Sequence, residues 1–296
     1  MADAHTGDLV DSVWGHQSVW SQTADLLKTR IDRLRSVMLG LGVASAVLTT
    51  FAAQVASLSS SGGKVLALAA GVAVGLVPLV RARLGRDAVS RWTRARAVAE
   101  ELKAEVYPFL AGVAPFRGAD RGAVLVERTN RVQEEAADLL MHTASVDPVP
   151  RESPGVHDVD SYVQARLVPQ IRWYQHKARG LARRLAWARR VEVVLSVLGV
   201  VLAAVAATWA VTAAAAWVAV VTTVTAAVSS HVAASRWEYQ LVEYLRTAGE
   251  LGRLHEGWIG AVSPGEATAD RLVDRCEQVV STQNDGWMAK WAADQR

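Results

Sequence analysis

Residues 193–230, VVLSVLGVVLAAVAATWAVTAAAAWVAVVTTVTAAVSS, contain no charged side chain. A helix that crosses the ~30 Å hydrocarbon core of a bilayer needs ~20 apolar residues at ~1.5 Å each. The stretch is about two such spans long, with Thr212 near its middle, so it reads as a membrane hairpin with spans over 191–211 and 213–232. One soluble helix of this composition would be apolar on every face with nothing to bury it. The soluble alternative is a pair of helices buried in the core of a larger bundle.

Upstream lies a basic helix, expected over Val159–Arg190 and carrying Trp173, Tyr174 and Trp187. Downstream a polar helix continues through Trp237, Leu241, Tyr244, Leu245 and Leu251 to a break at Pro264-Gly265, and Glu266–Gln295 closes the chain as a helix with Cys276, Trp287 and Trp291. The first half has the same plan. Val13, Trp20, Ala24, Leu27, Ile31 and Leu34 recur at helical steps between Asp11 and Arg35. An uncharged run follows, giving spans over 37–58 and 62–80 joined by the breaker-rich turn Ser59–Lys64. The second of these is short at Val65–Val80 unless the glycines join it. A polar helix then runs to Ala111, ended by Pro108 and Gly112, and another is expected from Asp120 to Thr143. Asp147–Pro154, with Pro148, Pro150 and Pro154, reads as a linker.

The halves also share local sequence. Ser90-Arg91-Trp92 matches Ser235-Arg236-Trp237, and Arg96 with Glu100 matches Arg246 with Glu250. Val126-Glu127-Arg128 with Val132 matches Val273-Asp274-Arg275 with Val279, and Trp20-Ser21-Gln22 is a looser counterpart of Trp173-Tyr174-Gln175. Matches in one order around similar hairpins point to duplication. The expected fold is therefore an all-α membrane protein of two tandem repeats, 1–150 and 151–296, each a two-span hairpin flanked by long cytoplasmic helices. With two spans per half, the halves insert in the same sense.

Arginine sets the orientation. Lys28, Arg30, Arg33 and Arg35 precede span one, and Arg81, Arg83 and Arg86 follow span two; Arg179, Arg183, Arg184, Arg189 and Arg190 precede span three, and Arg236 follows span four. The first turn has only Lys64 and the second has no charge. Lys and Arg mark the cytoplasmic side, which places both termini inside, with Trp209 and Trp217 at the outer interface and Trp187 and Trp237 at the inner one. Met1–Trp20 has three aspartates and no apolar core, so a cleavable secretory signal is not expected and the internal spans drive insertion.

Composition and motifs exclude much chemistry. The arginines flank apolar runs and form no separate basic face, which argues against a nucleic-acid partner. Cys276 is a lone cysteine, the seven histidines are scattered, and no metal-ligand spacing occurs. Gly62-Gly63-Lys64 resembles the end of a phosphate-binding loop but lacks its first glycine and a preceding strand. No nucleophile elbow or convergent acid–base pair is present, so neither enzyme activity nor a cofactor is expected. What remains is polar groups within spans. Thr222, Thr225 and Ser229 share a face of span four, Ser45 and Thr49 share a face of span one, and Gln54 lies in span one too. Such groups line a water path or bond to a neighbouring helix or their own backbone. Gly71 and Gly75 form a small-xxx-small pair, and His231 lies at the membrane border. Trp92, Arg96, Glu100, Trp237, Arg246 and Glu250 mark a candidate cytoplasmic interaction surface.

The plan resembles the SLATT family of two-transmembrane domains that accompany bacterial nucleotide-signalling conflict systems. Tyr162-Val163-Gln164-Ala165-Arg166-Leu167, continuing through Gln170-Ile171-Arg172-Trp173-Tyr174 to Lys177-Ala178, is similar to the leading helix of one SLATT subtype. Glu277 and Trp287 are similar to its closing segment. Trp20-Ser21-Gln22 with Ala24, Lys28, Ile31, Arg33 and Arg35 is similar to the leading helix of a second subtype. The resemblance implies a membrane effector, with no agreed catalytic residues to carry over; the chain shows no nucleotide-synthase or nucleotide-binding domain, so any nucleotide-signalling sensor is a separate protein or an unrecognised surface of this one. Four spans in two tight hairpins cannot enclose a wide channel and also pack together, so conduction requires a homo-oligomer. The expectation is an oligomeric pore or channel in the bacterial inner membrane; the alternative is a membrane-anchored scaffold whose cytoplasmic helices bind a partner.

Overall fold

The computed structural model describes residues 2–56, 59–85, 87–209 and 212–293. Among these there is no strand. The elements are α1 (Ala2–Ala56), α2 (Ser60–Leu84), α3 (Ala88–Ala111), α4 (Arg121–Glu134), α5 (Leu140–Thr143), α6 (Val159–Tyr162), α7 (Val168–Trp209), α8 (Thr212–Ser235), α9 (Trp237–Ile259) and α10 (Glu266–Ala293). A 3-10 turn (Ala137–Leu139) precedes α5, and a π turn (Val163–Leu167) joins α6 to α7. Four helical stretches are long and apolar enough to cross a membrane.

Several boundaries differ from the sequence reading. Ser36 and Gly40 do not interrupt α1, and nothing between Arg190 and Val193 breaks α7, so in each the polar helix and the apolar segment after it are a single helical element. The first turn is tighter than expected. Ser59 caps α2, its Oγ accepting from the Gly62 amide at 3.3 Å, and Ser60–Lys64 are already helical. Glycine is needed there, because a Cβ on Gly63 would lie 2.8 Å from that of Ala56. Pro108 does not end α3. It sits within the last turn, and the chain turns at Gly112, which has φ 66°. The helix expected over 120–143 breaks after Glu134, which turns Ala136 and Leu139 into the core. Leu58 at the end of span one, Arg86, and Ala210 and Val211 in the second turn lie outside the described residues, as do the side chains of Ala213, Trp287 and Trp291.

The chain forms two compact units, one of Met1–Thr29, Arg86–Lys177 and Val242–Arg296, the other of Arg30–Gly85 and Ala178–Leu241. The first is globular and has two apolar cores. Val10, Val13, Trp14, Trp20 and Ala24 of α1 pack with Val98, Leu102, Val106 and Phe109 of α3 and Leu125 of α4. Tyr162, Val163, Leu167 and Tyr174 pack with Leu251 of α9 and with Leu272, Val273 and Cys276 of α10. The proline-rich segment read as a linker is pinned to α1. Ser18 Oγ donates to the Val149 carbonyl at 3.1 Å, Gln22 Nε2 to the Asp147 carbonyl at 3.3 Å, and Ser153 bonds Asp11.

The other unit holds the four apolar segments and has little interior. Ala52, Ala70, Ala73, Ala214, Val220 and Val221 are buried, whereas Leu68 is 70% exposed and Val200 69%. Small residues set its helix contacts. Ser45 Oγ donates to the Ala70 carbonyl at 3.0 Å, and a Cβ on Gly199 would meet Val221 at 3.5 Å. Phe51 of α1 and Trp217 of α8 meet edge to face at 5.0 Å. An apolar exterior around an interior of alanines, Val220, Val221 and Gly63 is the pattern of a lipid-facing bundle.

Candidate functional site

The hydroxyls of the spans are largely occupied close to home. Thr222 Oγ1 donates to the Val218 carbonyl at 2.9 Å, Thr225 Oγ1 to Val221 at 2.8 Å, and Thr49 Oγ1 to Ser45 at 2.8 Å. Each is a bond to the preceding turn, which satisfies the hydroxyl without water. Ser229 differs, donating from α8 to the Glu192 carboxylate on α7 at 2.6 Å. Gln54 is half-buried and is not left without a partner. Glu192 bounds the charge-free run in the sequence, but its bond to Ser229 was not legible there. Gly71 and Gly75 are exposed, and a Cβ on either would meet nothing within 4 Å, so the hairpin does not use them for close contact. His231 stacks edge to face with Trp237 at 5.9 Å.

Of the candidate cytoplasmic surface, Trp92 is half-buried against the first core, with Lys28 Nζ 5.4 Å from its ring centre. Arg96 pairs with Glu100 at 2.9 Å, as the four-residue spacing suggested. Glu100 is only 6% exposed and faces inward. The matching position behaves differently, since Glu250 accepts from Arg275 of α10 at 2.7 Å. Arg246 is exposed beside them in an open cleft lined also by Glu243 and Thr282.

The strongest polar arrangement is buried in the globular unit. Tyr162 and Arg166, one helical turn apart, both reach Glu277 on α10. Tyr162 Oη donates to Glu277 Oε1 at 2.8 Å, Arg166 Nε to Oε1 at 3.0 Å, and Arg166 Nη2 to Oε2 at 2.8 Å. The guanidinium also lies 4.6 Å from the ring centre of Tyr107. Tyr162, Arg166 and Glu277 are each under 9% exposed. Burial opposes the charge on Arg166, but Glu277 outweighs it and holds the guanidinium's pKa well above its ordinary value. Burial alone pushes the Tyr162 phenol up, and Glu277 adds to this.

Glu100 lies nearby in the same field. Burial disfavours its charge, yet Lys103, Arg96 and Arg166 together draw its carboxyl down to about 2. Lys103 donates to it at 3.1 Å. Burial and the Glu277 charge push the Cys276 thiol up to about 12, so it stays protonated and inert. Sequence reasoning missed the Arg166–Glu277 pair and Lys103. Arg96, Glu100 and Lys103 on one helical face were a readable signal; a pair 111 residues apart was not. A bidentate Arg–carboxylate clamp with a phenol donor fixes geometry, and among the described residues no cluster suits a metal ion. The arrangement ties α10 to the helix that leads into α7.

Residues 162–287 match the family described as SMODS and SLOG-associating 2TM effector domain 1, SLATT_1. Residues 18–122 match another family, described as protein of unknown function, DUF4231. The SLATT resemblance therefore holds for the second half, and the first half matches a differently described family. Neither the curated proteins nor the solved structures give a significant match.

Proposed function

We propose that this protein is a bacterial inner-membrane effector that opens an oligomeric pore in a conflict or stress response. The match of residues 162–287 to a two-transmembrane effector family carries the proposal. The four apolar segments supply the membrane part. Alanines and the Val220–Val221 pair fill what interior they have, so conduction calls for several copies around an axis. Arginines flank the spans and the turns are almost uncharged, which supports cytoplasmic termini. The globular unit is then cytoplasmic and receives the signal from a separate nucleotide-signalling sensor.

Induced expression in bacteria, followed with a potential-sensitive dye, is expected to depolarise the cells. Purified protein is expected to run as a discrete oligomer and release dye from liposomes. Liposomes that stay tight, with and without co-expressed sensor, would remove the pore from this reading.

A second reading, a membrane-anchored scaffold, is favoured by Thr222 and Thr225, whose hydroxyls bond their own helix. It expects Thr222→Val with Thr225→Val to leave function unchanged, and substitutions on the Trp237–Leu251 face to abolish it.

A further inference from the structure

From Ser161 to Val191 the chain has eight Lys or Arg and no Asp or Glu. On α7, Arg183, Trp187 and Arg190 follow one another at steps of four and three, so they share a face, with Arg184 beside it. All four are exposed, Trp187 to 65%. The face continues without interruption as Val194, Val197 and Val201, which are 65%, 57% and 51% exposed. Arg189 is taken by Glu238 at 2.7 Å, whereas among the described residues Arg183, Arg184 and Arg190 have no carboxylate partner. On α1, by contrast, Asp32 stands between Arg30 and Arg33.

We propose that the face formed by Arg183, Arg184, Trp187 and Arg190 binds the phosphate of an anionic phospholipid. The proposal rests on the reading that α7 enters a membrane. Lipid chains against Val194, Val197 and Val201 bring their headgroups level with the residues just before them. At ~1.5 Å per residue, Arg190 lies about 6 Å from Val194, inside a headgroup layer of roughly 5–8 Å per side. Arg183 and Arg184 start about 10 Å further out, beyond contact with that layer but within a Debye length of ~8–10 Å of its phosphates, and add attraction through the field. A guanidinium fork matches phosphate oxygens, and an exposed indole suits the interface. Arg172, about 27 Å from Arg190 along the same helix, lies beyond the layer and serves as control.

The test uses the full chain extracted into mixed phosphatidylcholine–phosphatidylglycerol micelles, with retained lipid counted by native mass spectrometry. The wild type is expected to enrich phosphatidylglycerol. Each arginine replaced by glutamine is expected to weaken that preference about fivefold, so R183Q/R184Q/R190Q loses on the order of a hundredfold. R172Q is expected to keep it, and raised salt to abolish it. The single variant R190Q, with unchanged helix content by circular dichroism, provides a second measurement should the triple variant misfold. Equal retention of both lipids by the wild type, or undiminished preference in the variants, overturns the proposal. Displacement of phosphatidylglycerol by inorganic phosphate at constant ionic strength overturns the lipid assignment in favour of a free anion. Carbonate-resistant flotation with vesicles tests insertion separately. A chain that does not insert defeats the membrane reading, and one that inserts without preference defeats only this proposal.

Discussion

The two units treat polar groups in opposite ways. In the span-containing unit, Thr49, Thr222 and Thr225 bond within their own helices, and the helices meet through Gly63, Ala70 and Gly199. In the globular unit, Tyr162, Arg166 and Glu277 cross-link elements more than 100 residues apart. The difference follows from the surroundings. Lipid offers no hydrogen bonds, so a span must satisfy each group locally or through a close neighbour. A protein interior beside water can hold a charge pair when its partners are complete, and breaking the pair then costs far more than making it contributes.

The largest expected effect follows from that asymmetry. Glu277→Gln strips a buried guanidinium of its counter-charge and is expected to cost about 3–5 kcal/mol. Thermal unfolding in detergent, followed by tryptophan fluorescence, would show it. Arg166→Met with Glu277→Leu is expected to regain most of that loss, because it removes both charges. If the double variant is as unstable as the single one, the pair's role is packing.

Acid comes next. Glu100 is held at about 2 against an ordinary value of 4.5. Its contribution is therefore full above about 4.5 and is lost as the pH falls toward 2. Fluorescence titration is expected to show the globular unit weakening across that window. Glu100→Gln should be less stable at neutral pH and flatter below it.

In the other unit the contacts are steric. Gly63→Val is expected to cost about 1–3 kcal/mol by forcing α1 and α2 apart, and Gly71→Val less than about 0.5. Denaturation in mixed micelles compares the two. Equal losses would mean that Gly71 has a close neighbour the single chain lacks, such as another copy. Smallest of all, Thr222→Val and Thr225→Val are each expected to change stability by under about 0.5 kcal/mol. A larger loss of conductance with unchanged stability would place these hydroxyls on a water path.

Much of this contrast was legible in the residues, and the limits were physical. Of the residues chosen by helical spacing, Val13, Trp20, Ala24 and Ile31 are buried, and Leu27 and Leu34 are half-buried. The apolar runs fall where four helices can cross a membrane. The hydroxyl faces of spans one and four were visible, but which acceptor each would take was not, because a threonine's own backbone competes at no distance cost. Gly71 and Gly75 marked a close contact within a hairpin or between protomers; within the chain, α1 and α2 approach through Gly63, Ala70 and Ala73 instead.

The sequence by itself determined the all-helical class, the positions of the apolar segments and the basic flank of α7, because each depends on residues within a few turns of one another. Only the tertiary structure decided that Glu277 would meet Arg166 and Tyr162, that Glu100 would face inward while its counterpart Glu250 paired with Arg275, and that the proline-rich segment would lie bound along α1. Those pairings join distant parts of the chain. Their energy comes from desolvation and geometry that arise only when the helices have packed.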